Sequence, residues 1–392
     1  MKQIVLKDKR EASVQRFHPW VFSGGVARKP NSLKDGEWVE VCSNRGEVLG
    51  KGHYQDGSIC VRLLSFGNQV IDQAFWNEKI LAAKRYRDRL GLIDNPLTNS
   101  YRLIHAEGDG LPGLIIDIYG DAAILQCHSI GMHLDLTAIV EALKNAYGAK
   151  LSTIYDKSSE TLPKQFAQQL ENTYLLGNAS SGIALEYGHR FEIDWVKGQK
   201  TGFFLDQREN RRLLAEYVVG KKVLNAYAYS GGFSIYALQA GASFVDSVDS
   251  SAKANELTEN NMVLNGFSAE QQKTHTSDVL RFLQEHDGQY EVMIVDPPAF
   301  AKNLDKRHNA VQGYKRLNAL AMQKVAPGGI LFTFSCSQVV NKQLFYDTIV
   351  AAAIEAGRQV RVMHHLSQPP DHPVSLFHPE GSYLKGLAVY VE

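Results

Sequence analysis

The 392-residue sequence predicts an α/β protein whose C-terminal half is an open, mostly parallel sheet, preceded by a small β-rich unit and an α+β middle segment. Three observations carry that prediction. From Gly220 onward, apolar runs of strand length alternate with helical stretches of ten or more residues, the pattern of βα units whose strands are buried on both faces. Residues 1–72 hold short strand-like runs between closely spaced glycines at 24, 25, 36, 46, 50, 52 and 57, which mark turns and close backbone approach. Between them the patterning mixes both periods. A chain of this length exceeds one ordinary core, and the boundaries read as 1–72, 73–188 and 189–392.

In the first segment Trp38–Val41, Val48–His53 and Ile59–Leu64 alternate around Asp-Gly turn signals at Asp35-Gly36 and Asp56-Gly57, as strands of a small sheet would. In the second, Gln73–Leu90 places Phe75, Trp76, Ile80, Ala83 and Tyr86 near helical spacing. Lys79, Lys84, Arg85, Arg87 and Arg89 make that helix basic, which fits a solvated face ahead of a dedicated RNA contact. Strands follow at Arg102–His105, Leu114–Tyr119 and Ala122–His128, then a helix over Met132–Tyr147 and a strand near Leu151–Tyr155. Ile183–Trp195 reads as a hairpin turning at Gly188. In the third segment the strands are Lys222–Ala228, Ser243–Val248, Lys273–Ser277, Val292–Asp296, Ile330–Ser335, Gln359–His364 and Leu387–Val391.

Composition narrows the function classes. No run is long and apolar enough to span a bilayer, and the N-terminus lacks the apolar core of a secretory signal. The four cysteines, Cys42, Cys60, Cys127 and Cys336, are scattered without a C-x-x-C pair. That disfavours structural zinc and a disulfide framework and fits a reducing cytoplasm. Lysines plus arginines balance aspartates plus glutamates at 42 each, but residues 1–76 carry a net of +3 and residues 77–188 a net of −3. A nucleic-acid partner would therefore be held by local basic patches.

The most informative stretch is VLNAYAYSGGFSIYALQAGA, Val223–Ala242. A buried-type strand runs into Ser230-Gly231-Gly232 and a helix opens at about Phe233. In an open parallel sheet such strand ends hold ligands. Asp249, 18 residues after Gly231 at the next strand end, suits the two hydroxyls of a ribose. Asp278, after the third strand, suits an adenine amino group. Tyr227 and Tyr229 stand where a diphosphate fingerprint has glycines, and Asn225 where it has an acid. A sulfonium ligand such as S-adenosylmethionine has no diphosphate and is compatible with aromatic walls. NAD is the competing cofactor, and a strand–glycine–helix turn taken alone is also plain fold geometry. Asn225, Tyr227, Tyr229, Ser230, Gly231, Asp249 and Asp278, with Asp296 at a further strand end, are the candidate cofactor residues.

Two more strand ends carry the chemistry. EVMIVDPPAF places Asp296-Pro297-Pro298 just outside the sheet, a rigid rim of acceptors for a planar base and its cofactor. Phe300 is available for stacking. GGILFTFSCSQ places Cys336 at the adjacent strand end. A strand cysteine is usually an apolar filler, but the flanking Ser335 and Ser337 favour a function. A ring nitrogen or exocyclic amine accepts a methyl group directly. Carbon 5 of a pyrimidine is a poor nucleophile until a thiolate adds at carbon 6, which is covalent catalysis. Cys336 and Asp296 are the candidate catalytic residues; Pro297, Pro298 and Phe300 are the candidate substrate contacts. No metal ligand set is evident, although His364, His365, His372 and His378 lie close in sequence. The basic stretch Lys302, Lys306, Arg307, Lys315 and Arg316 follows the Asp-Pro-Pro motif and fits a solvated loop or a substrate contact equally.

With these residues in hand, the chain resembles the bacterial 23S rRNA 5-methylcytosine methyltransferases with an N-terminal PUA domain, the large-subunit RNA methyltransferase I type. HPWVFSGGV (18–26) and VLGKGHY (48–54) are similar to its PUA strands. RLIHAEGDGLPGLIIDIYGD (102–121) is similar to its middle-domain hallmark. KTGFFLDQRENRR (200–212), VLNAYAYSGGFS, DPPAF, FSCS, DHPV (371–374) and PEGSYLKGL (379–387) follow in the family's order. The resemblance implies a Rossmann-like class I methyltransferase domain, S-adenosylmethionine as cofactor, and 23S rRNA as partner bound in part by the PUA-like domain. It also implies that Phe204, Asp206, Gln207 and Arg208 lie close to the cofactor, that Asp249 and Asp278 contact it, and that Cys336 is the nucleophile. A homodimer is compatible with the sequence, which sets no oligomeric state. Two rivals stay open: a methyltransferase acting on a guanine nitrogen, and a non-catalytic RNA-binding assembly factor.

Overall fold

The computed structural model describes residues 1–301 and 303–392. Lys302, in the basic stretch after the Asp-Pro-Pro motif, lies outside the described residues. The chain separates into two compact units. The first comprises Met1–Leu185, Ile193–Phe203 and Pro370–Gly381; the second comprises Glu186–Glu192, Phe204–Pro369 and Ser382–Glu392.

The first unit opens with a six-stranded sheet in the spatial order Trp20–Phe22, Ile59–Phe66, Val48–Tyr54, Trp38–Cys42, Lys2–Leu6, Val26–Arg28. The three strands expected from alternation are present. Lys2–Leu6 joins them by running parallel to Trp38–Cys42, a long-range pairing that no local pattern specifies. Gly52 is where two backbones meet: a Cβ there would stand 2.0 Å from the Arg62 carbonyl oxygen, so any side chain would part the strands.

A five-stranded sheet follows, in the order Thr173–Leu176, Thr153–Asp156, Ala122–Cys127, Leu114–Tyr119, Ser100–His105. The helix Gln73–Arg89 is capped by the Asp72 side chain, which accepts from Phe75 N at 3.0 Å, and buries Phe75, Trp76, Ile80 and Ala83. Its basic residues are not a uniform solvated face. Arg87 is fully buried, in a bidentate pair with Asp109, and donates to the carbonyls of Arg102 and Asp371 at 2.7 Å each. Lys84 and Lys79 donate to the carbonyls of Ala146 and Gly110. The helix expected over Met132–Tyr147 divides into Ile130–Leu134 and Leu136–Tyr147. The break frees Asp135 to accept from Trp38 Nε1 at 3.0 Å and to pair with His53 Nε2 at 2.7 Å.

The second unit holds a seven-stranded sheet. Its strands are β1 (Lys222–Ala226), β2 (Phe244–Asp249), β3 (Gln272–Thr276), β4 (Tyr290–Val295), β5 (Val325–Ser335), β6 (Val360–Ser367) and β7 (Lys385–Val391), in the spatial order 3-2-1-4-5-7-6. The first five are parallel; β7 is antiparallel to both β5 and β6. The helices are α1 (Gly232–Gln239), α2 (Ala252–Leu264), α3 (Val279–Glu285), α4 (Arg307–Lys324) and α5 (Lys342–Ala356). Central strands are buried almost throughout, whereas the edge strand β3 is polar and half-exposed. The core gathers Leu224, Val248, Met293, Val295, Leu331, Tyr314, Leu317 and Phe345. Two boundaries differ from the expected ones in ways that matter. β1 stops at Ala226 because Tyr227 turns to φ +62°. β7 begins at Lys385 rather than Leu387, which sets Lys385 opposite Ser335.

The four C-terminal histidines have separate surroundings. His364 Nε2 is 2.6 Å from the Tyr217 hydroxyl, His365 lies against Tyr346, His372 Nδ1 is 3.1 Å from Asp371, and His378 packs on Trp20 at 4.3 Å between ring centres. His18, His378 and Glu380 bring ligand-type atoms within 4.8 Å of one another.

Candidate active site

The spatial order of the sheet lays the carboxyl ends of β3, β2, β1, β4 and β5 side by side. Strands about 4.8 Å apart make this a rim roughly 20 Å long, and the order reverses between β1 and β4, where open sheets bind ligands. Asp278, Asp249, Tyr227, Asp296 and Cys336 follow these ends in turn.

The loop after β1 is held in an unusual conformation. Tyr227 (φ +62°), Tyr229 (φ +48°) and Gly231 (φ +74°) are all left-handed. Only the glycine adopts this without strain; each tyrosine costs of order 1 kcal/mol or more. The surroundings impose it. Tyr229 N donates to Asp249 Oδ2 at 3.0 Å, Thr258 Oγ1 donates to the Tyr229 carbonyl at 2.8 Å, and Asn261 Nδ2 to the Ser230 carbonyl at 2.9 Å. A Cβ at Gly231 would lie 2.8 Å from Thr258 Cγ2. Asn225 is buried beneath the loop: its Nδ2 donates to Ser234 Oγ, which shares a second bond with Ser247 Oγ, both 2.8 Å. These ties fasten β1 to α1 and β2.

Asp249 uses one oxygen for Tyr229 N and the other for Ser251 N. A carboxylate has about four acceptor sites, so one lone pair on each oxygen remains for a vicinal diol. Asp278 caps α3 by accepting from Arg281 N at 3.0 Å and is exposed at the rim. Phe204 meets Tyr229 edge-on, with ring centres 5.1 Å apart, forming an aromatic wall. Tyr227 is half-buried, and burial raises its hydroxyl pKa, with the carboxylates of Asp278 and Asp249 raising it further. It stays a neutral phenol between the acidic and thiol ends of the rim. An adenosine with a sulfonium fits this set: two acidic acceptors, aromatic faces and no phosphate cradle.

The segment before β1 is pinned from below. Arg211 makes a two-point pair with Glu186, 2.8 Å at each contact, and donates to the Phe204 carbonyl at 3.0 Å. Tyr236 donates to Glu186 Oε1 at 3.0 Å; burial and the neighbouring Glu186 keep its hydroxyl protonated. The short helix Arg208–Leu214 then presents Gln207 to the rim. Asn210 Nδ2 donates to Gln207 Oε1 at 2.6 Å, which turns the Gln207 amide nitrogen towards Asp296 Oδ2 at 3.0 Å. Asp206 accepts from the Tyr383 hydroxyl at 2.7 Å. Arg208 is buried with its Nε 3.3 Å from Glu209. Of the four residues expected near the cofactor, Phe204 and Gln207 reach the rim through contacts with Tyr229 and Asp296. Asp206 and Arg208 are buried among protein partners.

Beyond Asp296, Pro297 is buried and Pro298 exposed, and the Phe300 ring lies 4.6 Å from that of Tyr314. Cys336 is half-buried just past β5. Its neighbours are braced: Ser337 Oγ bonds the Tyr314 hydroxyl at 3.1 Å, Ser337 N donates to Ser335 Oγ at 3.3 Å, and Lys385 Nζ donates to the Ser337 carbonyl at 2.7 Å. In the basic stretch Lys306, Arg307 and Arg316 are exposed, while Lys315 pairs with Glu355 at 2.8 Å. Sequence reasoning passed over Asn210, Arg211, Tyr314 and Lys385. Asn210 and Arg211 lie inside KTGFFLDQRENRR and Lys385 inside PEGSYLKGL, so motif membership was the available signal.

The sheet order, the acidic strand ends and the aromatic loop define an S-adenosylmethionine-dependent methyltransferase. A family model described as S-adenosylmethionine-dependent methyltransferase matches residues 167–382, and a PUA-like domain model matches residues 4–66. The chain is 38% identical over 396 aligned residues to proteins named Ribosomal RNA large subunit methyltransferase I from Klebsiella pneumoniae (99% of this chain, 98% of the relative) and Erwinia tasmaniensis (99% of each). It belongs to the Ribosomal RNA large subunit methyltransferase I family. In fold it is similar to a methyltransferase crystallised with SAH (TM-score 0.86, 22% identity, 100% of each chain). It is equally similar to a SAM-dependent methyltransferase from Streptococcus mutans (TM-score 0.85, 22% identity, 100% of each chain). Among the described residues no helix is long and apolar enough to cross a membrane.

Proposed function

We propose that this methyltransferase forms 5-methylcytosine in 23S rRNA through a covalent adduct between Cys336 and carbon 6 of the target base. The observation that carries the reading is the half-buried Cys336 at the end of β5, beside the strand end that presents Asp296. Methyl transfer to a nitrogen has no use for a thiol there. The name of the 38%-identical relatives supports large-subunit rRNA as the substrate, and the PUA-like match at residues 4–66 supports a dedicated RNA-binding module. The boundaries 1–72, 73–188 and 189–392 and a cytoplasmic setting belong to the same reading.

S-adenosylmethionine, when bound, supplies an electrophilic methyl group. Asp249 accepts from its ribose hydroxyls, Asp278 from its adenine amino group, and Phe204, Tyr227 and Tyr229 wall it. Asp296 shares a proton with ring nitrogen 3 of the base, its carboxylate steered by Gln207, and Pro297, Pro298 and Phe300 border the base. As Cys336 Sγ bonds carbon 6, electron density moves to carbon 5, which takes the methyl group. Loss of the carbon-5 proton then breaks the S–C6 bond and returns the electron pair to sulfur.

The test is incubation of the full chain with methyl-labelled S-adenosylmethionine and 23S rRNA lacking the modification, followed by nucleoside analysis. Label in 5-methylcytidine is expected. Label in a guanosine derivative would overturn the cytosine reading, and no label would favour an assembly factor. For the cofactor contacts, Asp249→Ala is expected to weaken S-adenosylmethionine binding by roughly 10- to 100-fold, the worth of hydrogen bonds to a charged group; calorimetry of the variant checks it.

A further inference from the structure

We propose that Lys385 is the group that holds Cys336 as a thiolate, its ammonium facing the sulfur from the first residue of β7. This rests on the reading of Cys336 as the nucleophile and supplies what that reading lacks. An ordinary thiol has a pKa of about 8.5, so only a few per cent is thiolate at pH 7. A neighbouring cation is the usual means of raising that fraction.

The backbone register delivers the charge. β7 runs antiparallel to β5 with Lys385 opposite Ser335. The Lys385 side chain ends on the Ser337 carbonyl, 2.7 Å from Nζ. Ser335 and Ser337 bracket Cys336, so the Lys385 backbone pairs with the residue before the cysteine and its ammonium with the carbonyl of the residue after it. Only 5% of Lys385 is exposed, and a buried ammonium needs an anion as well as a neutral carbonyl acceptor. The charged groups it feels are Cys336, which favours its protonation, and Lys342 at the start of α5, which opposes it. Burial is the largest influence, and it brings the Lys385 pKa down to about 8. Among the described residues Tyr314 of α4 is also packed here, and its hydroxyl is raised by burial and by Cys336, so it adds no charge. The sulfur is thus the anion this lysine is placed to meet.

With the Lys385 ammonium brought down towards the range of an ordinary thiol, a proton passes between the two groups at little cost. The S–H bond of Cys336 breaks, the proton joins the amine form of Lys385, and a neutral pair becomes a thiolate–ammonium pair. When the S–C6 bond later breaks, the thiolate returns to the same counter-ion. A positive charge here also disfavours re-protonation of sulfur before the next base enters.

The test needs no RNA. The full chain is alkylated with iodoacetamide across pH 5–10, the adduct on Cys336 is quantified by peptide mass, and binding of S-adenosylhomocysteine reports that each variant is folded. In the wild type the Cys336 profile is expected to have its midpoint at least about one unit below 8.5. Lys385→Met should raise the midpoint by one unit or more, slowing alkylation at pH 7 about tenfold, while Lys385→Arg should keep it low. A loss that is merely structural would not move a titration midpoint. Equal midpoints in the wild type and a Lys385→Met variant that binds S-adenosylhomocysteine would overturn the proposal; Lys385→Gln serves the same comparison where Lys385→Met does not fold. A separate arm offers the wild type RNA containing 5-fluorocytosine. No covalent adduct, with the midpoint shift intact, would reject the carbon-5 reading and leave the role of Lys385 towards the thiol standing.

Discussion

Cys336→Ala is expected to reduce methyl transfer by roughly a thousandfold or more while leaving S-adenosylmethionine affinity within about twofold of wild type, since loss of a covalent nucleophile can cost up to about 10^6 in rate. The two halves of the expectation come from different strand ends. The thiol lies after β5, whereas the carboxylate of Asp249 and the strained Tyr227–Gly231 loop lie after β2 and β1. Removing one sulfur from a half-buried position leaves the Ser335–Ser337–Tyr314 bonds in place, so the fold should hold. Single-turnover methylation beside calorimetric cofactor binding separates the effects. A variant that still methylates rRNA at near the wild-type rate would mean the acceptor is a nitrogen.

Arg211→Met is expected to destabilise the methyltransferase unit by about 3–5 kcal/mol, the cost of leaving one partner of a buried ion pair uncompensated. Glu186 is fully buried and receives both Arg211 contacts together with the Tyr236 hydroxyl. Without the guanidinium its carboxylate has one donor where it had three. Arg211→Lys should rescue little, because an ammonium cannot reproduce the two-point geometry. The double change Glu186→Gln with Arg211→Met should recover part of the loss, since no buried charge then remains. Urea unfolding of each variant measures this. The cofactor side should respond as well: Arg211 holds the Phe204 carbonyl, and a displaced Phe204 removes the wall against Tyr229. Equal stability of Arg211→Met and wild type would show that the pair carries none of the load assigned to it.

Local patterning made much of the catalytic unit legible. A parallel strand buried on both faces reads as an apolar run, and β1, β4 and β5 each end in residues too polar or too constrained for such a run: Asn225 before Tyr227, Asp296 before two prolines, Cys336 between serines. The loop was harder to read. Tyrosines at two glycine-type positions looked like a departure from a phosphate-binding turn, but both take left-handed φ, so the loop keeps that backbone and changes only its lining. The reason lies outside the loop, in Asp249, Thr258 and Asn261, which bond its backbone groups from β2 and α2. The basic helix Gln73–Arg89 misled for a similar cause. Its charge pattern fits a solvated face, and nothing within the helix reports that Asp109 and two carbonyls wait for Arg87.

The sequence by itself determined the order of βα units, the strand ends that carry acids and the thiol, and the family to which those motifs belong, because each depends on hydrophobic period and on residues adjacent in the chain. Only the tertiary structure decided which distant residues serve those ends. Gln207 turned to Asp296 by Asn210, Glu186 tied to Arg211 beneath Phe204, and Lys385 brought opposite Ser335 join residues 89, 25 and 50 positions apart in the chain. Register and side-chain direction set them, and both come from packing whole elements together, for which no local period exists.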